Sequence, residues 1–187
     1  MPVPTPHVLL LRGINVGGNH TLPMRDLVAI VSAAGARNAR TYIQSGNVVC
    51  DAQPNDIVAL RKRVGDLVVA RFGFSSPVVA RSAAEWTSMI DALPFAEADG
   101  AIHLACLADL PAPECVAQLD PNRSPGDRFV VHGCDVYLSL KNGVGGTRIT
   151  NAWLDATLMT VSTARNWRTV MALAEMLVRP VPTPPPR

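Results

Sequence analysis

The sequence predicts a mixed α+β protein. Its first half reads as a ferredoxin-like β-α-β-β-α-β unit, and its second half as a related antiparallel α/β arrangement with extra C-terminal helices. Three observations predict this. Short apolar runs bounded by glycine, proline or asparagine alternate with longer stretches in which apolar residues recur every three or four positions. Up to about residue 82 those segments follow the order strand, helix, strand, strand, helix, strand. The 187 residues are 48% hydrophobic and 17% charged, enough to build one large domain or two small ones sharing an interface.

Taken in order, residues 1–6 carry Pro2, Pro4 and Pro6 and read as an extended tail. A ferredoxin-like subdomain is expected over 7–82. His7 to Arg12 is a short apolar strand stopped by Gly13, followed by a glycine-rich loop to Thr21. Pro23 to Ala34 is a helix, with Pro23 in its first turn, Leu27, Ile30 and Val31 on one face, and Gly35 ending it. Arg40 to Gln44 and Val48 to Asp51 are strands joined at Ser45-Gly46-Asn47. A second helix, capped at Asn55 or Asp56, runs to Phe72 with Leu60, Val64, Leu67 and Val68 aligned. Pro77 to Arg81 is the fourth strand.

A second subdomain is expected over 83–178. It starts with a helix from Ala84 to Leu93, a strand from Ile102 to Ala108 and a short helix from Pro113 to Leu119. Asp127 to His132 and Asp135 to Leu140 pair around Gly133-Cys134. Two helices then follow, about Thr150 to Met159 and Ala164 to Val178, in place of a clear last strand. Residues 179–187 form a second proline-rich tail. An echo between Arg12-Gly-Ile-Asn-Val-Gly-Gly and Asn142-Gly-Val-Gly-Gly-Thr-Arg148 raises internal duplication.

Composition narrows the function classes. A net charge of +2 argues against a dedicated nucleic-acid binder. Of 17 basic residues only Lys62 and Lys141 are lysines, a bias that reflects either coding preference or bidentate anion recognition. No stretch reaches the ~18 apolar residues of a membrane span. The run Val8 to Leu11 is too short for a signal peptide, so the cytoplasm is the expected location. Cys50, Cys106, Cys115 and Cys134 form no C-x-x-C pair, and His7, His20, His103 and His132 lack ligand spacing, so neither a metal nor a cofactor is expected. There is no G-x-S-x-G elbow or H-E-x-x-H helix, and Asp155 and Glu175 read as solvated helix residues.

Three stretches invite chemistry. Arg12 and Asn15 sit in a glycine loop between strand and helix, where backbone N–H groups can face an anion. The other reading is a glycine turn, with Arg12 paired to a nearby acid. Gln44, Ser45 and Asn47 occupy the hairpin, either as polar ligands or as partners that fix the glycine loop. In Val161-Ser-Thr-Ala-Arg-Asn-Trp-Arg168, Ser162 or Thr163 would cap a helix with Arg165 and Asn166 in its first turn. Arginine there opposes the helix dipole, which suggests a task elsewhere. With Arg148, these residues (Arg12, Asn15, Gln44, Asn47, Arg148, Arg165 and Asn166) form the candidate site for a small anionic ligand between the halves.

The stretches Arg12-Gly-Ile-Asn-Val-Gly-Gly, Leu22-Pro-Met24, Thr41-Tyr-Ile-Gln-Ser-Gly-Asn-Val-Val49 and Thr163-Ala-Arg-Asn-Trp-Arg-Thr169 resemble, in that order, the signature of the bacterial "domain of unknown function 1697" family. The resemblance implies a compact α+β fold related to the ferredoxin-like plan, and it implies no activity. Members often carry Ser-Lys-Leu after the second glycine-rich turn; this chain has Thr147-Arg148-Ile149, which keeps the hydroxyl and the charge. Two other functional readings stand beside the ligand site. The polar stretches could instead lock the two halves together in a structural or regulatory protein. A nucleic-acid module would need exposed aromatics on its central strands, and the first three strands offer only Tyr42.

Overall fold

A computed structural model describes residues 3–96 and 102–179. Residues 1–2 and the proline-rich segment 180–187 lie outside the described residues. The first half contains β1 (Thr5–Leu11), α1 (Met24–Ala33), β2 (Arg37–Tyr42), β3 (Asn47–Ala52), α2 (Ile57–Phe72) and β4 (Val78–Ser82), followed by α3 (Ala83–Asp91). The second half contains β5 (Ile102–Leu107), α4 (Pro113–Val116), β6 (Arg128–His132), β7 (Asp135–Ser139), the single turn α5 (Gly143–Gly146), α6 (Asn151–Leu158) and β8 (Ser162–Asn166), followed by α7 (Trp167–Val178).

Each half forms one four-stranded antiparallel sheet, in the orders β2-β3-β1-β4 and β6-β7-β5-β8. These are the same topology, the ferredoxin-like one. The registers also agree: Leu11 pairs with Val78 and Val8 with Arg81, while Leu107 pairs with Ser162 and Leu104 with Arg165. The mixed α+β class expected from the sequence is therefore what the chain adopts, and the second half completes the plan of the first.

Burial follows strand alternation. On the outer face of the first sheet, Leu9, Leu11, Val48 and Cys50 pack against Leu27, Ile30 and Val31 of α1 and Leu60, Val64 and Val68 of α2. Its inner face (Val8, Leu10, Val49 and Val79) shares a core with Leu104, Cys106 and Tyr137 of the second sheet and with Trp86, Met89, Val170 and Leu173 of α3 and α7. Ala105, Leu107, Val136 and Leu138 pack on Leu154 and Leu158 of α6. The molecule is thus five-layered, with helices against both faces of each sheet. Trp86 and Val170, the fourth residues of α3 and α7, meet at the centre, where the fully buried indole Nε1 donates to the Val170 carbonyl at 3.2 Å. The central strands β1, β3, β5 and β7 are covered on both faces, so they offer no open platform for stacked bases.

One expected element is corrected. Residues 162–166 form β8, paired with β5, where the sequence pattern places the start of a helix. The helix begins five residues after Ser162, and its N-cap is Asn166, whose side chain accepts from Thr169 N at 2.8 Å. Ser162 and Thr163 read as caps because they are polar, yet both are buried in the sheet. Tertiary pairing overrides the local signal here. The first hairpin is also shifted: β2 ends at Tyr42 and β3 starts at Asn47. The glycine echo does not mark the duplication, because residues 12–18 follow the first strand of their half whereas 142–148 follow the third. β1 starts at Thr5, inside the segment expected as a tail.

Candidate functional site

The ends of β1 and β8 meet at the junction between the halves, and Arg12 and Arg165 meet there with them. Arg12 leaves the first half: its Nη1 donates to the Asp155 carboxylate on α6 and, at 3.2 Å, to the Ser162 carbonyl. Asp155 also accepts from the Ser162 amide at 2.7 Å and the Ser162 hydroxyl at 2.6 Å. Asp155 is therefore the hub that ties α6, β8 and the first half, rather than a solvated helix residue.

Arg165 makes the reverse crossing. It sits on β8, not in a helix turn, and its side chain points to the first half. Nε donates to Asn47 Oδ1 at 2.5 Å, and Nη2 donates to the carbonyls of Leu11 at 2.8 Å and Ser45 at 3.0 Å. Nη1 donates to Thr163 Oγ1 at 2.9 Å and the Ala164 carbonyl at 2.8 Å. A guanidinium has five N–H donors, and all five are taken by neutral oxygens of the protein. Burial without a carboxylate lowers its pKa to about 10. The guanidinium stays charged at neutral pH, because the shift leaves it well above that range.

The other expected site residues divide. Asn47 is fully buried; it accepts from Arg165 and donates to the Tyr42 carbonyl at 3.2 Å. Asn15, at φ 55°, fastens the glycine loop by donating to the carbonyls of Leu22 and Gln44, both at 2.9 Å, and accepting from Leu22 N at 2.8 Å. Gln44 joins this cluster through its backbone carbonyl, and its side chain is exposed. Asn166 caps α7. Arg148 is not brought to the cluster: its side chain is exposed and its amide is tied to Ser124 Oγ at 3.2 Å.

Gly46 explains why this corner is closed. At φ 72°, a Cβ there would lie 2.9 Å from both the Cβ and the carbonyl oxygen of Leu11 and 3.0 Å from Ile14 Cδ1. The glycine loop, anchored by the buried Ile14 and Leu22, thus lies directly on the first hairpin.

The duplicated fold places a second, related cluster on the other side of the junction. Arg81 holds the place on β4 that Arg165 holds on β8. Its Nη2 crosses to the second half and donates to the carbonyls of Leu107 at 2.9 Å and Cys134 at 2.8 Å and to Asp135 Oδ1 at 3.1 Å. Asp135 opens β7 as Asn47 opens β3. Both partners of this pair are largely buried, with side chains 9% and 15% exposed. Burial raises the Asp135 pKa, and Arg81 offsets this only in part.

Beside Arg81 lies a cleft of about 610 Å³ lined from both halves, by His7, Arg61, Ser82, Glu85 and Ser88 on one side and Ala108, His132, Cys134 and Asp135 on the other. Glu85 is engaged at the start of α3, accepting from Ser82 N and Oγ, both at 2.7 Å. Burial opposes its ionisation, but these two bonds prevail and hold its pKa below the usual carboxylate range. None of these cleft residues is among the ligand-site candidates of the sequence. The available signal was the repeated Ala-Arg-polar triplet before a helix, Ala80-Arg81-Ser82 and Ala164-Arg165-Asn166. Among the described residues, no three His, Cys, Asp or Glu side chains gather as metal ligands, and no helix is long and apolar enough to cross a membrane.

The comparisons agree with this architecture and add no chemistry. No curated protein matches the sequence. The solved structure titled as that of the conserved bacterial protein SP0830 from Streptococcus pneumoniae is similar, with a TM-score of 0.74 at 17% identity, covering 94% of this chain and 99% of that one. At that identity the likeness is one of fold. The family model described as "Protein of unknown function (DUF1697)" matches residues 5–137, which take in the glycine loop, the first hairpin, Arg81 and Asp135, and the chain belongs to that family.

Proposed function

We propose that the protein binds a small anionic molecule in the cleft between its two halves, on the Arg81 side. The observation that carries this reading is the cleft itself. Its 610 Å³ falls in the range usual for small-ligand sites, and it opens where two halves meet, a common place for them. Its basic groups are Arg61, Arg81, His7 and His132, while its two acids are engaged, Asp135 by Arg81 and Glu85 by the start of α3.

A second reading is favoured for the motif residues. Arg165 has no donor left to offer a ligand, and Arg12 already has a carboxylate. Arg12, Asn47 and Arg165 then act as the lock that holds the halves in register, which is a structural role. The two readings are compatible, one for each side of the junction.

The test is a melting-temperature series with small anions at constant ionic strength, in wild type and in Ser88→Trp. Ser88 is exposed on α3 and lines the cleft, so tryptophan there fills space without entering the core. A saturable rise in Tm that the variant abolishes supports the cleft as the site. No anion-specific rise, or the same rise in the variant, contradicts it.

A further inference from the structure

The two sheets have four edge strands, β2 and β4 in the first and β6 and β8 in the second. An edge strand presents main-chain N–H and C=O groups that another chain can pair with, and folded proteins usually blunt it. Three of the four edges are blunted here. On β4, the outward carbonyls of Val78 and Ala80 accept from Arg61 Nε at 2.8 Å and Arg81 Nη1 at 2.9 Å, and the Ser82 amide donates to Glu85 at 2.7 Å. β8 repeats the device. Its Ser162 and Ala164 carbonyls accept from Arg12 Nη1 at 3.2 Å and Arg165 Nη1 at 2.8 Å, and the Ser162 amide donates to Asp155 at 2.7 Å. β2 instead has a register shift between Arg37 and Arg40, with Asn38 at φ 54°. Its Arg40 guanidinium reaches α7 and donates to the Met176 carbonyl at 2.8 Å.

The fourth edge, β6, has none of these devices. Its residues, Arg128-Phe-Val-Val-His132, include no proline or glycine and pair with β7 in unbroken register. The turn at Gly133-Cys134 closes on the pair His132 and Asp135. Antiparallel alternation then bonds Val130 to Tyr137 and Arg128 to Ser139, and it turns the N–H and C=O of Phe129 and Val131 outward. Among the described residues no group bonds those outward atoms. Val130 stands between them with its side chain 39% exposed.

We propose that β6 pairs with β6 of a second copy of this chain, antiparallel about a two-fold axis through Val130. The outward groups are self-complementary in that register. Phe129 of each copy exchanges both main-chain bonds with Val131 of the other, Val130 lies against Val130, and Arg128 lies opposite His132. Two observations select a second copy as the occupant. Edges β2, β4 and β8 of another copy are blunted, which leaves β6, among the described strands, to receive β6. Being already held extended by β7, β6 also avoids the ordering entropy that a free peptide would lose on pairing. The two-fold closes the assembly as well: the joined sheet ends at β8 on both sides, an edge that is blunted.

The experiment follows the oligomeric state of the full chain by sedimentation velocity over a concentration series. Hydrogen exchange of the Phe129 and Val131 amides is read at both ends of that series. Wild type should dimerise reversibly, and those two amides should become protected as the dimer forms. Val130→Lys and Val130→Glu each set like charges against each other on the axis and should raise the dimer Kd about tenfold or more. Mixed in equal amounts, the two variants should form a heterodimer, because the axis then joins opposite charges. Val130→Thr keeps the β-branched shape and should dimerise as wild type does. Wild type that stays monomeric at the highest concentration overturns the proposal. So does a dimer that neither charged variant weakens, a mixture that does not restore it, or Phe129 and Val131 amides that exchange alike in monomer and dimer. Should a charged variant fail to fold, the exchange of those amides in wild type and Val130→Thr still decides.

Discussion

Arg81 and Arg165 occupy the same place in the two halves and cross the same junction in opposite directions, yet they are stabilised differently. Arg81 has a carboxylate, Asp135, and two carbonyls of the opposite half. Arg165 has no acid and relies on a complete set of neutral acceptors. The reason lies in Asn47, which must accept from Arg165 and also donate to the Tyr42 carbonyl. An aspartate could do only the first. The surroundings differ as well. The glycine loop seals the first hairpin over Gly46, whereas the second hairpin, at Gly133 to Asp135, opens into the cleft. A duplicated scaffold has thus closed one side of its junction and left the other accessible.

The contrast can be broken most forcefully at Asp135. Asp135→Ala leaves Arg81 buried with no counter-charge and should cost about 3–5 kcal/mol in urea unfolding. Asp135→Asn keeps an acceptor and should cost about 1–2 kcal/mol; equal losses in the two variants would mean that the acceptor contributes nothing. On the closed side, Arg165→Ala removes five bonds but also a buried cation that had no acid. Its loss should be about 2–4 kcal/mol, carried by the carbonyls left unpaired.

The two hairpins provide a finer comparison. Gly46→Ala meets both a positive φ and a 2.9 Å approach to Leu11, and should cost about 2–3 kcal/mol. Gly133→Ala, at φ 58° with open space around it, should cost only the left-handed penalty of about 1 kcal/mol. Arg12→Ala should cost about 1 kcal/mol, because both partners of its ion pair are a quarter exposed, and salt should shrink that loss.

The smallest expected effect is in acid, where the two carboxylates of the cleft act with opposite sign. Glu85 has a lowered pKa in the folded state, so its stabilisation is present above the ordinary glutamate range and is lost as pH falls through the lowered value. Asp135 has a raised one, so the folded state holds its proton longer and stability drops as pH rises through that value. Comparing the acid limbs of Glu85→Gln and Asp135→Asn with that of wild type checks both signs.

Much of the fold was legible because its elements are locally consistent. Leu60, Val64 and Val68 mark α2 by spacing alone, and Gly35 and Gly73 stand just past the ends of α1 and α2. β8 was not legible. Its Ser162, Thr163 and Arg165 are polar residues whose partners are set by packing, Ser162 on Asp155, Thr163 on Arg165 and Arg165 across the junction, so no apolar alternation marks the strand. The candidate site was legible in part. Arg12, Asn47 and Arg165 do meet, joined by Asn15 and the Gln44 backbone, because unusual polar residues beside glycine signal a tertiary task. What that task is depended on which acceptors face them, and no local pattern encodes an acceptor more than a hundred residues away. The cleft was invisible for the same reason. Arg61, Arg81 and Asp135 belong to three elements and look like ordinary surface charge until the halves are packed.

The most direct test of the account is a pair of double-mutant cycles by urea unfolding, one for Arg81 and Asp135 and one for Arg165 and Asn47, each residue changed to alanine singly and together. An ion pair at Arg81 and neutral acceptors at Arg165 predict a coupling of about 2–3 kcal/mol for the first pair and about 1 kcal/mol for the second. Equal couplings, or a larger one for Arg165 and Asn47, would contradict the claim that the repeat holds Arg81 by an ion pair and Arg165 by neutral acceptors.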